Sequence, residues 1–332
     1  MSANITNGTS SSLPTSMESN LDVLVHNRDG SLIIGASGLS GRYWAGSLWF
    51  YEDPSNAPEI EKCSAGVQTE AGVTDIEWID ESRIAVASDS GAIEVWHLVN
   101  SRSAFRNLFY LYEHARRPHV HAVSINSNKT RLVSGSSDKL IKIWDLPTQR
   151  SVSTLHGHTR KVECVVCSPN ELEVFLSCSQ DGSILLWDMR KPKPAHRLDR
   201  ASDAALPTCV NWKPGESHVV AIGDEVGKIT IQDARSGNGE NGVRSASAHT
   251  RAVHRLAFSP KNSSWLASVS EDCTAAVTDL HPEPKQVYTG YSHNDFVHGV
   301  SWDPLSNKLL TCGWDRQVIS HDVNLPNTAV PL

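Results

Sequence analysis

The fifteen histidines and seven cysteines are the residues of this 332-residue chain best able to do chemistry. Catalysis would need a nucleophile, a base and a group orienting the base, and a structural metal would need four donors aimed at one point. The histidines are placed for another task. His158 is followed by Ser177, Asp181 and Trp187, and His114 by Ser134, Asp138 and Trp144. The same order recurs with a changed last member in His249, Ser268, Asp272 and Thr278, and in His293, Thr311, Asp315 and His321. A buried imidazole and carboxylate persist only when each finds a partner, so these sets read as hydrogen-bonded chains that lock strands together. Cys164-Val-Val-Cys167 has a metal-like spacing, but residues three apart on a strand point to opposite faces and cannot share one zinc. The odd number of cysteines, mostly within strands, fits reduced thiols in a core. The glycine-rich run from Gly35 to Gly41 is spaced wrongly for a phosphate loop or a nucleophile elbow, and the chain holds no H-E-x-x-H. Glu52-Asp53 is a solvated strand end. The expectation is a binding scaffold without catalytic residues, metal or cofactor.

The elements that carry these sets repeat. An aromatic-acid dipeptide or its remnant follows a short β-rich run at positions 51, 96, 144, 187, 232, 278 and 321, with steps of 45, 48, 43, 45, 46 and 43 residues. That period produces about four short strands per repeat, stacked radially as blades. The expected fold is an all-β, seven-bladed β-propeller in one domain over 13–323, between a disordered tail at 1–12 and a C-terminal tail at 324–332. In blade 4 the strands are expected at Val162 to Cys167, Val174 to Ser179, Ser183 to Asp188 and Ala195 to Leu198. Pro326 and Pro331 make the last segment a poor fourth strand, so ring closure is expected to use an N-terminal strand within Leu13 to Asn20. His158, Ser177, Asp181 and Trp187 resemble, residue by residue, the buried chain of the WD-repeat family.

The net charge is −7 and basic residues occur as isolated pairs such as Arg116-Arg117, which argues against a direct nucleic-acid ligand. No stretch approaches the roughly 20 apolar residues of a membrane span, and the first twenty residues lack a signal pattern, so a soluble intracellular protein is expected.

One segment is more than scaffolding. Between the second and third strands of blade 1, the gap from Ser37 to Leu48 is 11 residues against 5 from Ser179 to Ile184 in blade 4. The added residues place Leu39, Arg42, Tyr43 and Trp44 in a loop where a turn needs only Gly and Asp. Aromatics flanked by Arg on a loop have the composition of an interface hot spot. Trp44 is the expected anchor of a partner, on the same end of the ring as the loops around His114, His158, His249 and His293.

The strings Gly35 to Trp49, Cys63 to Val73 and Ala87 to Trp96, with Phe175 to Asp181 and Gly313 to Val318, resemble the methylosome WD-repeat protein family across all seven blades. The resemblance implies a non-catalytic partner of the type II protein arginine methyltransferase, which forms symmetric dimethylarginine. It implies docking on the N-terminal barrel domain of that enzyme, insertion of Trp44 beside Arg42, Tyr43 and Leu39, and presentation of histones and spliceosomal Sm proteins, in cytoplasm and nucleus. A stand-alone histone-binding WD-repeat adaptor is the alternative; a propeller hydrolase would need a channel metal or nucleophile that the sequence does not offer.

Overall fold

Short runs rich in β-branched and other apolar residues, buried on both faces, form the strands. In blade 4 these are Val162–Cys167, Val174–Ser179, Ile184–Asp188 and His196–Arg197, within a residue or so of expectation. Asp181 Oδ1 accepts the Ser183 amide at 2.9 Å, and Gly182 takes a φ of +79°, closing a tight turn between the second and third strands. Lys139, Cys273 and Arg316 occupy the same left-handed position in blades 3, 6 and 7, with φ of 73°, 66° and 63°. The turn geometry therefore survives loss of its glycine.

The computed structural model describes residues 13–40, 43–112, 118–198, 205–235 and 243–323. Both expected tails, 1–12 and 324–332, lie outside the described residues, as do His114 and Arg42. The described strands form seven antiparallel sheets, six of four strands and one of three. Their first strands, Asn20–His26, Val73–Trp78, Val120–Ile125, Val162–Cys167, Pro207–Trp212, Val253–Phe258 and Val297–Trp302, each contact the next, and the last contacts the first. This is the expected seven-bladed propeller, with the first strands around a central channel.

The core lies between blades. Leu48 and Phe50 of blade 1 pack with Val73, Ile76 and Trp78 of blade 2, and Ile143 of blade 3 packs with Phe175 and Trp187 of blade 4. Three tryptophans at the ends of first strands also bond to the preceding blade: Trp78, Trp212 and Trp302 donate Nε1–H to the carbonyls of Val25, Val166 and Ala257 at 3.3, 3.1 and 3.0 Å. Cys164 lies against the blade 5 cluster and Cys167 in the blade 3 cluster, on opposite faces of one strand as expected.

Ring closure departs from expectation. Among the described residues the seventh sheet has three strands, Val297–Trp302, Leu309–Gly313 and Val318–His321, and residues 13–19 belong to no strand. That segment instead lies between blades 1 and 7. Met17 is buried with Leu21, Trp49, Leu310 and Cys312, and its carbonyl accepts Arg316 Nη2–H at 2.7 Å. Glu18 takes the Ser47 hydroxyl and the Gln68 amide of blade 1. Met17 gains more by burial between two blades than it could on a solvent-facing outer strand.

The buried chains form. His158 Nε2 meets Ser177 Oγ at 2.7 Å, its Nδ1 meets Asp181 at 3.1 Å, and Trp187 donates to the same Ser177 oxygen at 2.8 Å. Trp144 donates to Ser134 at 2.9 Å in blade 3, and Asp138 Oδ1 accepts the Leu140 amide. Blade 7 completes its chain without tryptophan: His293 bonds Asp315 and Thr311, and Thr311 bonds His321 Nε2 at 2.7 Å. In blade 6 the slot is filled by Thr278, a buried hydroxyl with no partner. Trp187→Ala removes a fully buried ring and one end of this chain. It is expected to cost about 3–5 kcal/mol in urea-induced unfolding, whereas Thr278→Val, which removes only an unpartnered hydroxyl, should be neutral or stabilising.

Candidate functional site

The described residues of the blade 1 insertion are strand rather than loop. The second strand, Leu32–Ser40, and the third, Tyr43–Tyr51, stay paired to their tips, with Leu39 opposite Trp44 and Ser40 opposite Tyr43. The insertion added matching lengths to both arms, and Leu, Tyr and Trp favour a pleated surface, so the arms extend the ladder. Six blades end this connection in a tight turn, while blade 1 raises a hairpin above the ring.

Its base is held on three sides. Ser37 Oγ accepts the Val73 amide at 2.9 Å and donates to the Val73 carbonyl at 3.1 Å, stapling the hairpin to blade 2. Trp49, Phe50 and Tyr51 are fully buried, and Trp49 Nε1–H donates to Ser47 at 2.7 Å. Gly46 must lack a side chain, because a Cβ there would lie 2.5 Å from the Ala71 carbonyl oxygen. The tip differs. Leu39 is 63 % exposed and Trp44 is 40 % exposed, while the other nine of the ten tryptophans are buried or half-buried. Directly opposed residues share a face, so these two side chains form one apolar pair on a rigid stalk. The expected neighbour Tyr43 is placed by its backbone at the tip of the third strand.

Trp44 stands at the mouth of the central channel, a cavity of about 1010 Å³, with the His119–Asp89 pair beside it at 2.8 Å. His119 sits in the connection between blades 2 and 3, so the hairpin shares a face with the blade-to-blade loops as expected. Just inside, Trp314 donates to Asp22 at 2.9 Å, and His298 stacks on Trp314 and on His254. Burial pulls His254 down to about 4 and Asp22 up to about 6. Deeper, Arg255 of blade 6 reaches across the channel to Asp75 of blade 2 at 2.8 Å, while the other Asp75 oxygen accepts the Val123 amide of blade 3 at 3.0 Å. No local pattern announces this bridge, because its partners are 180 residues apart. Among the described residues no three His, Cys, Asp or Glu groups converge to hold a metal ion. The geometry thus offers an exposed apolar anchor over a polar channel mouth, suited to gripping another protein.

The fold and this site define a WD-repeat propeller, and sequence comparison agrees: residues 106–145, 149–188, 241–279 and 283–322 match the WD domain, G-beta repeat. The chain is 42% identical over 309 residues to Methylosome protein WDR77 of Xenopus laevis, covering 93% of this chain and 91% of that protein. It belongs to that protein's family. Protein valois of Drosophila melanogaster is 24% identical, with 91% of this chain and 85% of that protein covered. GATOR2 complex protein WDR24 of Homo sapiens is 28% identical but matched over only 31% of its length.

An acid whose pKa is higher folded than unfolded holds its proton more tightly in the folded chain. Stability is therefore greatest below the ordinary carboxylate value and falls as pH rises through the folded one. For Asp22 that window runs from 3.8 to about 6. Asp22→Asn keeps an acceptor for Trp314 without the buried charge. It is expected to raise unfolding stability near neutral pH by on the order of 2 kcal/mol and to change little at about pH 4, as measured by urea titration at both values.

Proposed function

We propose that the chain is a non-catalytic scaffold and substrate-presenting subunit of a methylosome, gripping the protein arginine methyltransferase that forms symmetric dimethylarginine. The observation that carries this reading is the Leu39–Trp44 pair held exposed on a clamped hairpin, in a chain 42% identical to Methylosome protein WDR77. In this reading the indole enters a pocket of the enzyme's N-terminal barrel domain, with Arg42 and Tyr43 at its rim. An anchor already held in place loses little conformational entropy on docking, so most of its apolar contact is retained as affinity.

The subunit would act by raising the local concentration of substrates, histones and Sm proteins, beside the enzyme rather than by moving atoms. Work in both cytoplasm and nucleus fits substrates of these two kinds.

Trp44→Ala is expected to weaken binding to the purified methyltransferase by about 2–4 kcal/mol while the propeller keeps its unfolding midpoint. Calorimetric titration gives the first quantity and thermal unfolding the second. Unchanged affinity would overturn the reading. Titration of the isolated propeller with histone tail peptides separates it from the stand-alone adaptor, which would bind them tightly without the enzyme.

A further inference from the structure

The side of blade 1 that carries Trp44 is turned toward blade 2. Along the third strand of blade 1, Leu48 and Phe50 face blade 2, and Trp44 falls on the same side two pleats further on. Blade 2 faces back. Trp96 and Leu98 of its third strand, Ile93–Val99, enter the core shared with blade 1. Glu94 lies on that face, accepting the Trp96 indole N–H at 2.9 Å, and Tyr110 of the outer strand, Ala104–Leu111, is directly opposite Glu94. Leu108, Tyr110 and the following Tyr112 therefore all look toward blade 1, whose own outer strand, Ala65–Thr69, contacts this one.

The two tyrosine rings stack at 5.5 Å with 19° between their planes, and Tyr112 is 59 % exposed. Glu70 is exposed at the end of the outer strand of blade 1. It follows Thr69, the backbone partner of Gly46, and after burial its charge is among the influences that raise the acid groups of Glu94, Tyr110 and Tyr112. Among the described residues the other outer strands differ. Arg150–Leu155 exposes only Val152 and no aromatic ring, Arg244–Ser247 is polar, His196–Arg197 is short, and the Tyr288 hydroxyl of Lys285–Gly290 is hydrogen-bonded with His321 Nδ1 at 2.9 Å. A long outer strand bearing exposed aromatic side chains is a liability unless something covers it.

We propose that Leu108, Tyr110, Tyr112 and Glu70 form a second docking surface for the same methyltransferase, continuous with Trp44, and receive an apolar segment of the enzyme flanked by arginine or lysine. The tyrosine faces and the Glu70 carboxylate suit such a cation, and two separated anchors fix orientation where a single indole fixes only attachment. This assignment rests on the function proposed above.

The test is titration of the full chain with purified methyltransferase. Tyr112→Ser and Glu70→Lys both alter exposed side chains, so the fold is retained. Each is expected to lower affinity about tenfold, with the Glu70→Lys loss shrinking in high salt. The amides of Ala104–Leu111 should also gain hydrogen-exchange protection on binding. If both variants bind like the parent and these amides gain no protection while Trp44→Ala still weakens binding, this surface is not a docking site and the function proposed above stands. If Trp44→Ala also binds like the parent, that function falls as well.

Discussion

Among the described residues, no blade of this protein has a core of its own. Each of the seven apolar clusters is built from two neighbouring blades, as when Ala267, Val269 and Val277 of blade 6 meet Val297, Val300 and Trp302 of blade 7. A sheet buried on both faces by its neighbours is stable only inside a closed ring, so closure is the condition that everything else depends on. It also explains how repeats can decay. Replacement of Trp by His321 or Thr278 alters one hydrogen-bonded chain, while the packing on both faces of the blade is kept.

Closure is spread over several contacts at the seam. The first strand of blade 1 contacts two strands of blade 7, and the Leu21 carbonyl accepts from Cys312 Sγ at 3.5 Å. Trp314 reaches Asp22, and Arg316 holds the Met17 carbonyl. Far from the seam, Arg255 and Asp75 tie blades 6 and 2 through the channel. Its guanidinium is partly screened by the channel, so the bridge contributes less to stability than to holding opposite walls in register. The stacked His254 and His298 above it are both depressed by burial and stay neutral near pH 7, which lets two rings 3.6 Å apart coexist.

The repeat period, the blade 4 strand limits and the His–Ser–Asp–Trp chain were legible in the sequence because they are local: a period, an alternation, a turn dipeptide. The two departures share one cause. Whether inserted residues form a loop or lengthen a hairpin depends on how evenly they divide between two arms, and whether a polar N-terminal segment pairs as a strand depends on what groove it meets. Leu39 opposite Trp44 and Met17 beneath Trp49 are tertiary facts. The Arg255–Asp75 bridge is the extreme case, since no window of sequence contains both partners.

The hairpin illustrates how a propeller gains an exposed apolar tip without losing its ring. Lengthening both arms of an inner connection leaves the blade's face-to-face packing untouched, because Trp49, Phe50 and Tyr51 remain where the repeat requires them. Leu39 and Trp44 extend the ladder beyond the packed part of the sheet, where their side chains stay exposed. What they require is a stiff base, and the Ser37 clamp on Val73 supplies it from the adjoining blade. The contact between blades 1 and 2 is thus the same contact that aims the indole, so a change that loosens one blade against the other would tilt the hairpin before it unfolded the chain.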